Sequence, residues 1–251
     1  MRQDQARLTR RVAAVAVFVA AAVVLPGVAG GAGGSAEFAL ARFLQPTVRP
    51  LMNYRALRHM TGQTADGGMR ATMTVWTELV GNGQFRYQIV SEEGSDKTRS
   101  RVFRGVLEGE AKAVKTGECD LGDLTLSNYQ FAPDGSGDHG LARIAITPRA
   151  AHPMRIVGDL FVRPEDGELV RVEGQLSKRP SFWTRRVDVV HHYRTLGGAR
   201  VPTAVEATAQ VLFVGQYDFT MDWQYESVNG QRVGNPIPRL AQAVSAAPDA
   251  Q

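Results

Sequence analysis

The stretch SFWTRRVDVVHHYRTLGG, residues Ser181 to Gly198, decides how the C-terminal half of the chain is read. It sets the pair His191–His192 between a run of β-branched residues and a double glycine. A strand points successive side chains to opposite faces, so adjacent histidines share one metal only where the backbone is irregular. Here the alternation is regular. Val187, Val189, His191 and Tyr193 fall on one face, and Arg186, Asp188, Val190 and His192 on the other. The stretch therefore reads as a strand that separates its two histidines, closed by a tight turn at Gly197–Gly198.

Working outward, the next two runs repeat the pattern. Val205, Ala207, Ala209, Val211 and Phe213 oppose Glu206, Thr208 and Gln210; Phe219, Met221, Trp223 and Tyr225 oppose Thr220, Asp222, Gln224 and Glu226. One face is apolar and aromatic, the other polar. From Leu141 onward six or so strands follow one another with turn signals at Asp166–Gly167, Gly197–Gly198 and Gly215 and no helix between them. That arrangement demands antiparallel neighbours. Upstream, MRATMTVWTELV and QFRYQIV form a hairpin about Gly81-Asn82-Gly83. A 3.6-residue period from Ser95 or Asp96, the N-cap, to Val114 predicts a helix with Val102, Phe103, Val106, Leu107 and Val114 as its stripe. Shorter helices are predicted over Phe38 to Leu44 and, from the spacing of Leu51, Tyr54, Leu57 and Met60, over Leu51 to Met60. Thr116 to Gly140 reads as loop, with a helical turn near Leu124 to Tyr129. The fold class is α+β, mainly β: one large curved antiparallel sheet with helices packed on one face.

Four arginines, at positions 2, 7, 10 and 11, precede an apolar run from Val12 to Leu25 and a small-residue exit. This is the pattern of a cleavable export signal, and the run is shorter than the roughly twenty residues of a membrane-spanning helix. Cleavage after Ala29 or after Ala36 fits, and the later site is the expectation, leaving a single domain from residue 37 with a disordered tail from about residue 236. Export makes the product periplasmic or secreted. The net charge of +4 belongs largely to the signal, so the remainder is close to neutral and nucleic-acid binding is not expected. Cys119 is the only cysteine, so packing rather than disulfides must stabilise the fold.

Catalytic and metal chemistry find little support. No HxH, HExxH, CxxC, GxSxG, phosphate loop or dinucleotide fingerprint occurs. Cys119 lies between Glu118 and Asp120, neighbours that raise a thiol pKa. No catalytic residue, metal or cofactor is expected. The aromatic positions Trp76, Trp183, Trp223, Phe161, Phe182, Phe213 and Tyr225 read either as core or as the lining of a pocket that a long curved sheet cannot fill by itself.

The segments YRALRHM, FRYQIVSEEGSDKTRSRVFRGVLEGE, GELVRVEGQLSKRPSFWTRRVDVVHHY, VPTAVEATAQV and YESVNG, spread from about Arg42 to Val233, resemble an uncharacterised exported bacterial family related to outer-membrane lipoprotein-sorting proteins. The resemblance implies a LolA/LolB-like architecture, an unclosed β-barrel whose concave apolar face is lidded by helices, and a function in holding acyl chains of lipids or lipoproteins. No individual residue transfers from that family. The expected lining, taken from strand parity, is Val189, Phe213, Met221, Trp223 and Tyr225, covered incompletely by the helices Leu51 to Met60 and Ser95 to Val114. The alternatives are an exported module of the same fold that binds an envelope protein partner without enzymatic activity, and a hydrolase with an unrecognised site.

Overall fold

The structure is a computed structural model that describes residues 33–45, 48–81 and 83–234. The expected signal, apart from its last four residues, and the expected tail lie outside the described residues. The chain runs α1 (Gly33–Phe43), β1 (Tyr54–Thr64), β2 (Ala71–Val80) and β3 (Gln84–Gly94). Then α2 (Asp96–Thr98) passes through a π-helical segment (Arg99–Phe103) into α3 (Arg104–Thr116). The rest is strand: β4 (Tyr129–Ser136), β5 (Ala142–Pro148), β6 (Ile156–Val162), β7 (Leu169–Leu176), β8 (Thr184–Leu196), β9 (Ala199–Val211), β10 (Gly215–Val228) and the short β11 (Gln231–Arg232).

All strands join one antiparallel sheet in the order β3-β2-β1-β10-β9-β8-β7-β6-β5-β4, with β11 beside β10. The end strands β3 and β4 do not pair, so the sheet curves without closing. The expected hairpin, the helix of residues 95–114 and the six-strand meander are all present. Ser95 caps the helix, its hydroxyl accepting from the Thr98 N–H at 3.4 Å. Gly117, at φ 70°, ends it in the left-handed conformation that glycine adopts without strain. The β8–β9 turn has positive φ at both Gly197 and Gly198, which matches the twist of a two-residue hairpin.

Two expectations are corrected. Residues 54–60 are not helical but lie in β1, hydrogen-bonded to both β2 and β10. The spacing of Tyr54, Leu57 and Met60 imitates a helix because the inward positions of the true strand are Tyr54, Ala56, Arg58, Met60 and Gly62, with an arginine in the middle, while Leu57 points outward. Gly62 is required there: a Cβ would lie 2.1 Å from the Tyr217 hydroxyl on β10. The segment 116–140 is also not mostly loop. Residues 119–122 form a 3₁₀ turn, 125–129 only a hydrogen-bonded turn, and Tyr129 starts edge strand β4, where Pro133 needs no donor on its free side.

The helices pack on one face but at opposite ends. α1 lies on β4, β5 and β6; the π-helical segment and α3 lie on β2 and β3. From α1, Ala36, Ala39 and Phe43 join a buried cluster that runs along the sheet through Ile144, Ile146, Leu160 and Val172 to Val187 and Val189. Under the other helix, Phe103 and Leu107 pack with a row of three methionines, Met73, Met60 and Met221, that are cross-strand partners on β2, β1 and β10. Methionine's flexible thioether fits this irregular space.

Candidate functional site

Between the two helical covers lies the inner face of β8, β9 and β10. Register fixes its rows. Val189, Ala207 and Phe219 are cross-strand neighbours, as are Val187, Ala209 and Tyr217, and His191, Val205 and Met221. Val189 and Met221 are buried, whereas Ala207, Ala209, Val205 and Phe219 are only part-buried. Small side chains on β9 thus form a trough between the bulkier ones of β8 and β10. To one side, Gly174 and Gly158 extend it across β7 and β6. A Cβ on either glycine would meet the opposite backbone at 2.1–2.2 Å, so glycine is what allows these strands to approach so closely.

Four of the five expected lining residues share this face. Met221, Trp223 and Tyr225 succeed one another on β10, and Val189 lies two strands away on β8. Phe213 does not join them. The last rung of the β9–β10 ladder is Val211 with Gly215, so Phe213 sits in the turn beyond it, 94% exposed, and strand parity no longer applies. His191 faces the apolar side beside Val205 and Val172, and His192 the polar side beside Arg171 and Ala204, as the alternation predicts. Burial, with the neighbouring His192 adding to it, pushes the His191 pKa down to about 4, so the ring is neutral at pH 7; its Nδ1 lies 3.3 Å from the Tyr193 hydroxyl. Among the described residues no three His, Cys, Asp or Glu side chains are grouped to hold a metal. The exposed Cys119 thiol is held above its usual range, first by partial burial and then by Glu110 and Asp120.

A feature that strand parity missed lies at the α3 end. Arg58, with a side chain only 1% exposed, points inward from β1 opposite Trp223. Its guanidinium donates to both carboxylate oxygens of Glu110 on α3, at 2.6 and 2.8 Å, and to the Tyr54 hydroxyl at 2.5 Å. Tyr54 in turn donates to Glu110 at 3.0 Å. The rings of Trp223, Phe85 and Tyr54 stand 5.1, 5.5 and 5.9 Å from the guanidinium carbon. Burial alone would lower the Arg58 pKa, but the Glu110 carboxylate outweighs it and the net shift is upward. Burial and Glu110 together raise that of Tyr54. The charge is neutralised and enclosed, so this end of the face also presents aromatic surface. The sequence carried one signal of it: an arginine at an inward position of an alternating run.

Two grooves are present among the described residues. One of about 340 Å³ is lined by Glu173, Asp188, Val190, Glu206 and Thr208 of the polar side together with Gly174, Val189 and Ala207. The other, of about 290 Å³, lies at the end of α1 between Arg42, Phe43, Asp166, Glu168 and Arg200. The described residues contain no helix long and apolar enough to cross a membrane.

Comparison with protein-family models and with curated proteins finds no match in sequence. Among solved structures, the chain is similar to a DUF1329 family protein from Desulfovibrio piger, with 11% identity over 76% of this chain and 90% of that one, at a TM-score of 0.39. It is similar to a LolA superfamily protein from Nitrosomonas europaea, with 10% identity over 82% and 96% of the two chains and a TM-score of 0.37. It is also similar to a domain described as an outer membrane lipoprotein-sorting protein from Vibrio parahaemolyticus, with 11% identity over 78% and 94% and a TM-score of 0.40.

Proposed function

We propose that the protein is an exported, non-enzymatic carrier that holds an acyl chain of a lipid or lipoprotein on the inner face of β8–β10, with Val189, Met221, Trp223 and Tyr225 among its contacts. One observation carries this reading: the trough of Ala207 and Ala209, flanked by Val189 and Phe219, is apolar and only part-buried, between two helices that pack at the ends of the sheet. An open apolar face gains most from an apolar ligand. Each methylene moved out of water contributes about 0.8 kcal/mol, so a chain of about a dozen contributes on the order of 10 kcal/mol. That offsets an association cost of about 4–15 kcal/mol only when most of the chain is covered. Short or polar ligands gain too little.

The test is a titration of exported protein with a fluorescent fatty acid, together with mass spectrometry of co-purified lipid. Saturable binding is expected, weakened at least tenfold (~1.4 kcal/mol) by Ala207→Trp, which fills the trough from a part-buried position. Asp222→Asn, on the exposed outer face, should leave binding unchanged. Folded wild-type protein that binds no acyl probe and carries no lipid refutes the proposal.

A further inference from the structure

At one end of the central strands, the loop between β7 and β8 meets the turn between β9 and β10. The Leu212 N–H donates to the Trp183 carbonyl at 2.8 Å and joins the two segments. Three aromatic rings cluster on this tip: Phe182 and Trp183 are edge-on at 5.5 Å, and Trp183 and Phe213 are 6.2 Å apart. They are nevertheless exposed, by 79%, 55% and 94%, and Val214 beside them is exposed as well. Phe213 also has φ +66°, a backbone conformation that suits glycine or asparagine and strains a bulky side chain. Neither burial nor local geometry accounts for a phenylalanine there.

The charge on the tip itself is positive, and the nearest acids of these strands, Asp188 and Asp218, lie behind it on either side of Thr208. Lys178, Arg179, Arg185 and Arg186 are exposed, and no acidic residue occurs from Lys178 to Val187 or from Val211 to Tyr217. Arg186 pairs with Asp188; Lys178, Arg179 and Arg185 make no ion pair among the described residues. Exposed tryptophan and phenylalanine ringed by unpaired cations match a membrane interface, where aromatic rings settle at headgroup depth and Lys and Arg meet anionic lipid. The cations beside the exposed rings favour this surface over a protein partner.

We propose that this tip, formed by Phe182, Trp183 and Phe213 with Lys178, Arg179 and Arg185, docks the protein on an anionic lipid surface. Val187, Ala209 and Tyr217 begin the inner face directly behind it, so docking would present that end of the trough to the bilayer. The proposal rests on the tip and stands apart from acyl binding in the trough.

The test is sedimentation of exported protein with mixed phosphatidylglycerol–phosphatidylcholine vesicles and with vesicles of phosphatidylcholine alone. Binding to the anionic vesicles is expected, weakened by salt, and at least about tenfold tighter than to neutral ones, since each cation adds to the attraction. Brominated acyl chains should quench the emission of wild-type protein more than that of Trp183→Phe. The pair Phe182→Ser and Phe213→Asn should lower vesicle binding about tenfold, while thermal stability and fatty-acid binding in solution hold. Lys178→Gln with Arg179→Gln should lower it on anionic vesicles only. Wild-type protein that stays off anionic vesicles, ring variants that bind like wild type, or equal binding to neutral vesicles would each overturn the proposal. Failure of fatty-acid binding alone would bear on the trough and not on the tip.

Discussion

Glu110→Ala tests whether the buried ion pair anchors α3 to the sheet. The substitution leaves the Arg58 guanidinium, 1% exposed, with only the Tyr54 hydroxyl to meet it. Removing one partner of a fully buried pair costs about 3–5 kcal/mol, because the remaining charge is uncompensated. Glu110 is 33% exposed, so water enters from the helix side and screens part of that cost; roughly 2–3 kcal/mol is the expected loss. For a chain of this size it corresponds to a fall in Tm of roughly 5–10 °C. Arg58→Met is the informative contrast. Methionine keeps the contacts with Trp223 and Phe85, and the freed Glu110 can turn to solvent, so a loss of about 1 kcal/mol or less is expected. The double variant should resemble Arg58→Met, since without the arginine no buried charge is left to compensate. Urea denaturation followed by circular dichroism measures all three. Equal losses in the two single variants, or an additive double variant, would refute the reasoning.

The pH dependence of stability should carry the signature of His191. Its pKa is about 4 in the fold against about 6.5 in the unfolded chain, so between these values the unfolded state binds more protons. The contribution is fully present above about pH 6.5 and lost as pH falls to about 4, amounting to roughly 3–4 kcal/mol. His191→Phe should flatten that part of the stability curve relative to wild type, and an unchanged slope would show that the ring is not desolvated in solution. At the N-terminus, Ala36 of α1 is fully buried against the sheet, and cleavage after it would remove the residues that begin the helix at Gly33. N-terminal sequencing of exported protein is therefore expected to show the cut after Ala29; a mature chain starting at Glu37 would contradict this.

What the sequence revealed, and what it hid, follows from how burial was distributed. Strands β8, β9 and β10 were legible because their inward positions are consistently apolar or aromatic, and parity then placed Val189, Met221, Trp223 and Tyr225 together. β1 was not, because its central inward residue is Arg58 and one of its leucines points outward. No local pattern announces that a helix more than fifty residues later will supply Glu110 to neutralise that arginine. β4 was hidden by the Pro-Asp-Gly run at 133–135, which reads as a turn and is tolerated only because the strand lies at the sheet edge. Phe213 failed for a different reason: alternation holds along a ladder, and the ladder ended two residues earlier.

The same edges explain where the helical covers lie. An antiparallel sheet of this length must either close into a barrel or protect its two end strands from pairing with other chains. Closure is opposed at β4 by Pro133, which cannot donate to a partner, and by the irregular register that follows it. Protection is visible at both ends. α1 lies on β4, α3 lies on β3, and Arg86, Glu92 and Glu93 add charge to β3. Glu92 is itself held by Arg99 and Arg104 of the helical segment, at 2.9 Å each, which ties that cover to its edge. With the covers packed at the two ends, Ala207 and Ala209 on β9 stay part-buried against the cluster that α1 shares with the sheet, and Phe219 beside them packs on Phe103 of the other cover. On the proposed reading, filling this part-buried apolar face with Ala207→Trp should weaken acyl-chain binding while leaving the edge strands and their helices in place.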